Sequence, residues 1–354
     1  MRLVRLLVFF SLAFGALRAA DVVLETGKLD SGALYTVAKP VRWNGRVLLL
    51  AHAYRTEEQP LHAALPTRQP FARALLDDGW LLATTSFRRN GVILKDAIED
   101  LDTLRKQIAA VHGAPSRVYL LGEAMGGAIV ARMVESFPDD YSGALALSPE
   151  FQLQEPQPTI GLSLQPRRPL VILANDSELS SPRAYVTTAA HAAFPPALWR
   201  VARHGHANIN SAEKLAALHA LVRWVEEGRA PEPNADATRA PETGPSQIEF
   251  APDNSVGTGR VIAILPGSGD LVVNFQPADL ARLGIKPRTR FALVIGARVV
   301  RVFYATTPAP VKRDEWFGYP EADGWFTLAV NRGNAAAVSG LQVGDAVVLR
   351  RLAE

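Results

Sequence analysis

Two carboxylates and two histidines stand where they could move a proton between them. Asp176 and Glu178 follow the apolar run 169–174, and His204 and His206 lie in the segment 198–208, where a strand gives way to a polar loop. A carboxylate that orients an imidazole and stabilises its charged form turns that imidazole into a general base. Such a base serves acyl transfer when a nucleophile is held out to it on a tight turn. A turn of that kind lies upstream at Gly122-Glu123-Ala124-Met125-Gly126-Gly127. It joins the apolar run 117–121, of strand type, to a helical pattern over 128–136 with Met133 and Val134 on its buried side. Glycines at 122 and 126 let the turn close on itself, and the residue between them is held out in strained geometry. That residue is Ala124, whose methyl group cannot attack a carbonyl. The chain has either lost this chemistry or carries an engineered Ser→Ala change.

These pieces together resemble the α/β-hydrolase family over residues 33–227, in the family's order of nucleophile, acid and histidine. The resemblance implies a doubly wound, mostly parallel sheet. It lays Asn175 on the glycine that opens the family's acid loop, Glu178 on the acid and Pro182 on the following proline. Asp176 is the second choice for the acid and Glu150 the third. The alternative for Asp176 and Glu178 is a turn that caps the next helix. His206 follows Gly205 as the family's base follows a glycine, with His204 second. The segment 46–55 resembles the strand and turn that supply one oxyanion-hole donor, so the N–H groups of Tyr54 and Met125 are expected to form that hole. Ala53 stands where the family has glycine, and His52 is expected to brace the loop. His62, His112, His191 and His219 lie in surface or packing contexts.

Only 148–168 separates the strand at 145–147 from the acid strand. That leaves no room for a large cap and implies an open site suited to a bulky or polymeric acyl substrate. Arg55, Arg88 and Arg89 lie in loops at the carboxyl ends of strands, where ligands bind. They favour a carboxylate-bearing substrate, such as an aromatic or uronic acid ester, unless Glu57, Glu58 or the Asp96, Glu99 and Asp100 cluster pairs with them.

The ends of the chain carry other signals. Arg2 and Arg5, the apolar stretch 6–17 and Ala19-Ala20 read as a secretory signal peptide over 1–20, or as an anchor if uncleaved, and export implies a secreted or periplasmic protein. Removing it takes three arginines and no acid from 38 Lys+Arg against 35 Asp+Glu, leaving 35 of each. No excess positive charge remains to favour nucleic acid or a membrane surface as partner. There is no cysteine, so no disulfide or thiolate site, and no metal or cofactor motif appears.

Residues 21–228 form the first domain, and 229–247, rich in Pro and Ala, read as an extended, mobile linker. Beyond it, over 248–354, short runs at 260–265, 271–275, 290–295, 299–305, 325–330 and 346–351 predict a small β barrel. The pieces Gly269-Asp270-Leu271-Val272-Val273-Asn274, Leu328-Ala329-Val330-Asn331-Arg332-Gly333-Asn334-Ala335-Ala336 and Gly344-Asp345-Ala346-Val347 resemble the C-terminal domain of the S-adenosylmethionine hydroxide adenosyltransferase and fluorinase-like family. Ser268-Gly269-Asp270 replaces that family's Phe-Gly-Asn, and the family's separate N-terminal domain is missing. The resemblance therefore implies a role in assembly or substrate positioning, with a homo-oligomer through the barrel, rather than adenosyl transfer.

The chain thus reads as a serine-type carboxylic ester hydrolase scaffold for a small-molecule or polymer-borne ester, disabled at Ala124. The alternative is a non-catalytic pseudohydrolase that binds a ligand or partner.

Overall fold

A computed structural model describes residues 21–153, 161–265, 268–306 and 311–352. The segment 1–20, read above as a signal peptide, lies outside the described residues. The first sheet is built from β1 (Val22–Lys28), β2 (Leu34–Pro40), β3 (Arg46–Ala51), β4 (Leu81–Thr85), β5 (Arg117–Glu123), β6 (Gly143–Leu147), β7 (Leu170–Asn175), β8 (Ala197–Val201) and β9 (Asn234–Asp236). Its order is β1-β2-β4-β3-β5-β6-β7-β8-β9. β2 runs antiparallel to both its neighbours, and all pairings from β4 onward are parallel. Every residue of β4, β6 and β7 is buried, which is why these strands read as unbroken apolar runs.

Helices α1 (Pro70–Asp77), α2 (Leu94–His112), α3 (Met125–Ser136), α4 (Ser180–Thr188) and α5 (Ser211–Glu227) cover the two faces. Ala97, Ile98, Leu101, Leu104 and Ile108 recur at intervals of three and four and pack α2 with α3 on one side. Leu75 of α1 and Leu218 and Leu221 of α5 fill the other side. Among the described residues no helix is long and apolar enough to cross a membrane.

The segment 229–247 is not the mobile linker its composition suggests. β9 lies within it and extends the sheet beside β8. Beyond β9, Ala237 is buried, and Thr238 Oγ1 accepts the Ala202 N–H at 2.7 Å. The carbonyl of Arg239 accepts from Asn210 Nδ2 at 2.8 Å. Three residues without alternation give a sequence no strand signal, and neighbours supply the order instead.

The second unit holds β10 (Glu249–Phe250), β11 (Val256–Ile264), β12 (Leu271–Val273), β13 (Arg290–Ile295), β14 (Arg298–Tyr304), β15 (Trp316–Pro320), β16 (Phe326–Val330) and β17 (Ala346–Arg351), with short helices α6 (Pro277–Arg282) and α7 (Ala335–Ser339). β11 pairs with both β12 and β17, which closes seven strands into a barrel. β15 has no counterpart among the expected runs. Gly318 breaks its pattern because the ring of Phe326 occupies the space above it, where an added Cβ would lie 2.4 Å from Cε1.

Asn210 ties several of these parts together. Its side chain accepts the Glu213 N–H at 2.9 Å while Glu213 Oε2 accepts the Asn210 N–H at 2.8 Å, a reciprocal cap on α5. Asn210→Ala removes the cap and strands the buried Glu213 N–H, so it should cost about 1–2 kcal/mol. The check is a urea titration, in which the midpoint falls and the slope does not.

Candidate active site

β5 ends at Glu123 and α3 begins at Met125, so Ala124 alone makes the turn. Its backbone sits at φ 51° and ψ −111°. A non-glycine residue held there costs on the order of 1–3 kcal/mol and persists only where its surroundings fix it. They do so at close range. The Ala124 N–H donates to Leu147 O at 2.9 Å, and its carbonyl accepts from the N–H groups of Ala128 and Glu150, both at 3.2 Å. A Cβ on Gly122 would lie 2.0 Å from Gly126 O, and one on Gly126 would lie 2.1 Å from Ala51 O. The backbones of β3, β5 and α3 therefore meet without side chains between them.

Two loops at the same carboxyl edge of the sheet bring acid and base together. Glu178 closes the single 3-10 turn after β7, and His206 lies in the loop after β8. His206 Nδ1 bonds to Glu178 Oε1, and Glu178 Oε2 accepts the Ala207 N–H at 3.0 Å. The Glu178 bond raises the His206 pKa above its ordinary value against the effect of burial, with Glu150 and Glu123 adding negative charge nearby. Burial pushes the Glu178 carboxyl up. The bond from His206, the neighbouring Ser148 hydroxyl and the Ala207 N–H outweigh that and hold it below its ordinary value. Asp176, the second choice for the acid, is taken by Arg200, whose Nη2 lies 3.0 Å from Oδ2. His204 has no carboxylate on its ring among the described contacts, and its carbonyl accepts from Asn208 Nδ2.

The proposed oxyanion donors lie on touching segments. Met125 is the first residue of α3, so its N–H has no acceptor within the helix. The loop carrying Tyr54 starts at His52, whose carbonyl would be 2.9 Å from a Cβ on Gly126. His52 braces this loop: its ring nitrogens face Ala53 O at 2.6 Å and Ser86 O at 3.1 Å, and it lies against the Phe87 ring. Burial, reinforced by Arg55, pushes its pKa down to about 4 against the effect of the two carbonyls.

Two of the three arginines are paired with acids. Arg88 is held by buried Asp100 at 2.8 Å, by Glu99 at 3.1 Å and by Asp96 at 3.6 Å, and Arg89 by Asp96 at 2.8 Å. Acids of α2, one turn apart, hold Arg88 through Nε and both Nη atoms, which corrects its reading as a substrate ligand, whereas Arg89 is paired through Nε alone. Arg55 donates to His62 O at 2.6 Å, and burial lowers its pKa to about 10. Around His206 the charge is acidic instead.

Two clefts adjoin the acid–base pair, one of them of about 410 Å³ beside Ser148, Glu150 and Glu178. The other, of about 270 Å³, runs beside Glu123 and His206, and its far wall is the barrel turn carrying Tyr319, Glu321 and Asp323. No sequence signal marked these three residues, because their place depends on how the two units dock. Among the described residues no group of three His, Cys, Asp or Glu side chains is placed to hold a metal ion.

Strand order, the Ala124 turn and the Glu178–His206 pair decide the architecture. The first unit has the α/β-hydrolase fold. Residues 92–194 match the family model described as serine aminopeptidase, S33. No curated protein matches the chain. Solved structures similar to it include an uncharacterized conserved protein from Thermotoga maritima, at 19% identity and a TM-score of 0.28, covering 37% of this chain and 49% of that one. The chain thus spans about half the length of that protein. An esterase of Pyrococcus furiosus is similar at 13% identity and a TM-score of 0.41, covering 58% and 88% of the two chains. An esterase from the bacterial hormone-sensitive lipase family follows at 17%, with a TM-score of 0.39 and coverage of 51% and 74%.

The Glu178–His206 pair sets a pH dependence. His206, raised above 6.5, adds stability that is complete below 6.5 and lost as pH climbs through its folded value. Glu178, lowered below 4.5, adds stability that is complete above 4.5 and lost as pH falls through its folded value. Their joint contribution is largest between pH 4.5 and 6.5. The difference in urea midpoint between the native chain and Glu178→Gln should peak in that window and shrink on both sides. A difference flat in pH would contradict the pairing.

Proposed function

We propose that the chain is a carboxylic-ester hydrolase scaffold that keeps its acid–base pair and lacks its nucleophile. The single observation that carries this reading is the backbone of Ala124, which holds the strained turn of a nucleophile elbow although its methyl group has no use for it. Glu178 on His206 supplies the acid and base, and the N–H groups of Met125 and Tyr54 supply the oxyanion donors. The match of 92–194 to a serine aminopeptidase family supports a hydrolytic ancestry. Export through the basic and apolar N-terminal segment belongs to the same proposal, as does kinship of the barrel with the adenosyltransferase C-terminal domain.

With serine at 124 the chemistry is acyl transfer. His206 takes the hydroxyl proton as Oγ bonds to the ester carbonyl carbon, and the oxyanion forms against the two N–H groups. Collapse breaks the bond to the alcohol, which leaves with the proton from His206. Water, deprotonated by the same imidazole, then releases the acid. With alanine at 124 no acyl intermediate forms, and any turnover runs through direct attack of water. A pseudohydrolase that binds a ligand is the second reading, favoured by Ala124 itself together with a cleft that both units line.

The test is hydrolysis of a chromogenic acetate ester by the native chain and by Ala124→Ser. The serine form should show a burst and turnover at least about 10³ above the native chain. His206→Ala should abolish that gain. If both forms are folded and equally inert, the binding reading replaces this one.

A further inference from the structure

The acid loop and the histidine loop are joined by more than the Glu178–His206 bond. Three consecutive residues after β7 each reach across to β8 or the loop that follows it. Asp176 Oδ2 accepts from Arg200 Nη2 at 3.0 Å, and the Asp176 N–H donates to Arg203 O at 3.2 Å. Glu178 holds the His206 ring and the Ala207 N–H. Between these two acids, the Ser177 hydroxyl donates to Gly205 O at 3.0 Å and accepts the Gly205 N–H at 3.1 Å. Both backbone groups of the residue before His206 therefore end on one hydroxyl. The loop there is strained, with φ 132° at Gly205 and φ 46° at Ala207, so His206 stands between two residues of positive φ. A Cβ on Gly205 would lie 2.9 Å from Asn208 Cβ. Backbone of this kind keeps its shape only where contacts fix it. Packing does not fix the ring, since the His206 side chain is 54% exposed.

We infer that Ser177 is a positioning residue for the base, its hydroxyl stapling the histidine loop to the acid loop and so keeping the His206 ring in line with Glu178. As a role in catalysis this rests on the ester-hydrolase reading, whereas the coupling of the two loops does not. A hydroxyl suits the place because one group both donates and accepts, which the carbonyl and N–H of a single residue require. Alanine at 177 leaves both groups of Gly205 to water, and the strained loop loses a contact that holds it. With Nδ1 engaged by Glu178, the other ring nitrogen is the one that carries the proton of the reaction. A ring free to turn presents that nitrogen only part of the time, so the cost of losing Ser177 falls on the chemical step.

The experiment follows the His206 imidazole by NMR titration in the native chain, Ser177→Ala and Ser177→Thr, with His206→Ala to assign the signal. Circular dichroism confirms folding. The other charged groups beside the ring, Glu123, Glu150, Lys214, Glu321 and Asp323, are the same throughout. Loosening the ring from Glu178 removes part of what raises its pKa, so alanine should lower that value toward 6.5. Threonine keeps the hydroxyl and should restore it. In the Ala124→Ser background with p-nitrophenyl acetate, Ser177→Ala should lower kcat about tenfold with KM nearly unchanged, and threonine should recover most of the loss. If the pKa and kcat of a folded Ser177→Ala chain match those of its parent, or if threonine behaves as alanine does, the inference falls. If the pKa responds as expected but no ester is hydrolysed with serine at 124, the ester reading falls and the positioning of His206 by Ser177 stands.

Discussion

At the elbow, three backbones approach so closely that no side chain fits between them. Gly122 faces the carbonyl of Gly126, and Gly126 faces the carbonyl of Ala51, each at a separation that a single methyl group would close. This contact fixes where α3 starts relative to β3 and β5, and it forces residue 124 into positive φ. It also sets the Met125 amide beside the loop from β3. Strain of this kind survives only when several independent contacts over-determine it, and here the bonds to Leu147, Ala128 and Glu150 do so.

The pair across the cleft is organised by a different force. Glu178 and His206 come from loops after adjacent parallel strands, and their bond stabilises opposite charges on two partly buried groups. The acids that surround the imidazole, Glu123 and Glu150 among them, favour its cationic form. That field is unfavourable to a carboxylate on a substrate, which agrees with the pairing of Arg88 and Arg89 by the acids of α2. The docked barrel lines one side of the cleft beside the imidazole. One Asp–Ser contact spanning 112 residues of sequence connects the helix that follows the histidine loop to the wall of the cleft.

Much of this was legible in sequence because buried parallel strands must be apolar throughout. β5, β6 and β7 announce themselves in that way. The elbow was legible because its glycines stand between an apolar strand run and a helical pattern, upstream of an acid and a histidine in the matching order. The choice between Asp176 and Glu178 was not, since two carboxylates two residues apart differ only in which neighbour reaches them, and Arg200 reaches the first. β9 and β15 escaped for the opposite reason to β7. One is three residues long and the other is interrupted by a glycine under an aromatic ring, so each is ordered by what packs on it. The roof of the site escaped because docking of two units leaves no periodicity to read.

The central claim is that residue 124 occupies a working nucleophile position and that only its side chain is missing. Labelling with an organophosphonate ester, read by intact and peptide mass spectrometry, tests this most directly. Ala124→Ser should gain one phosphonyl group, located on residue 124 and lost when His206 is also changed to alanine, while the native chain gains none. Labelling of the native chain at another hydroxyl, or none at 124 in a folded serine form, would contradict the account.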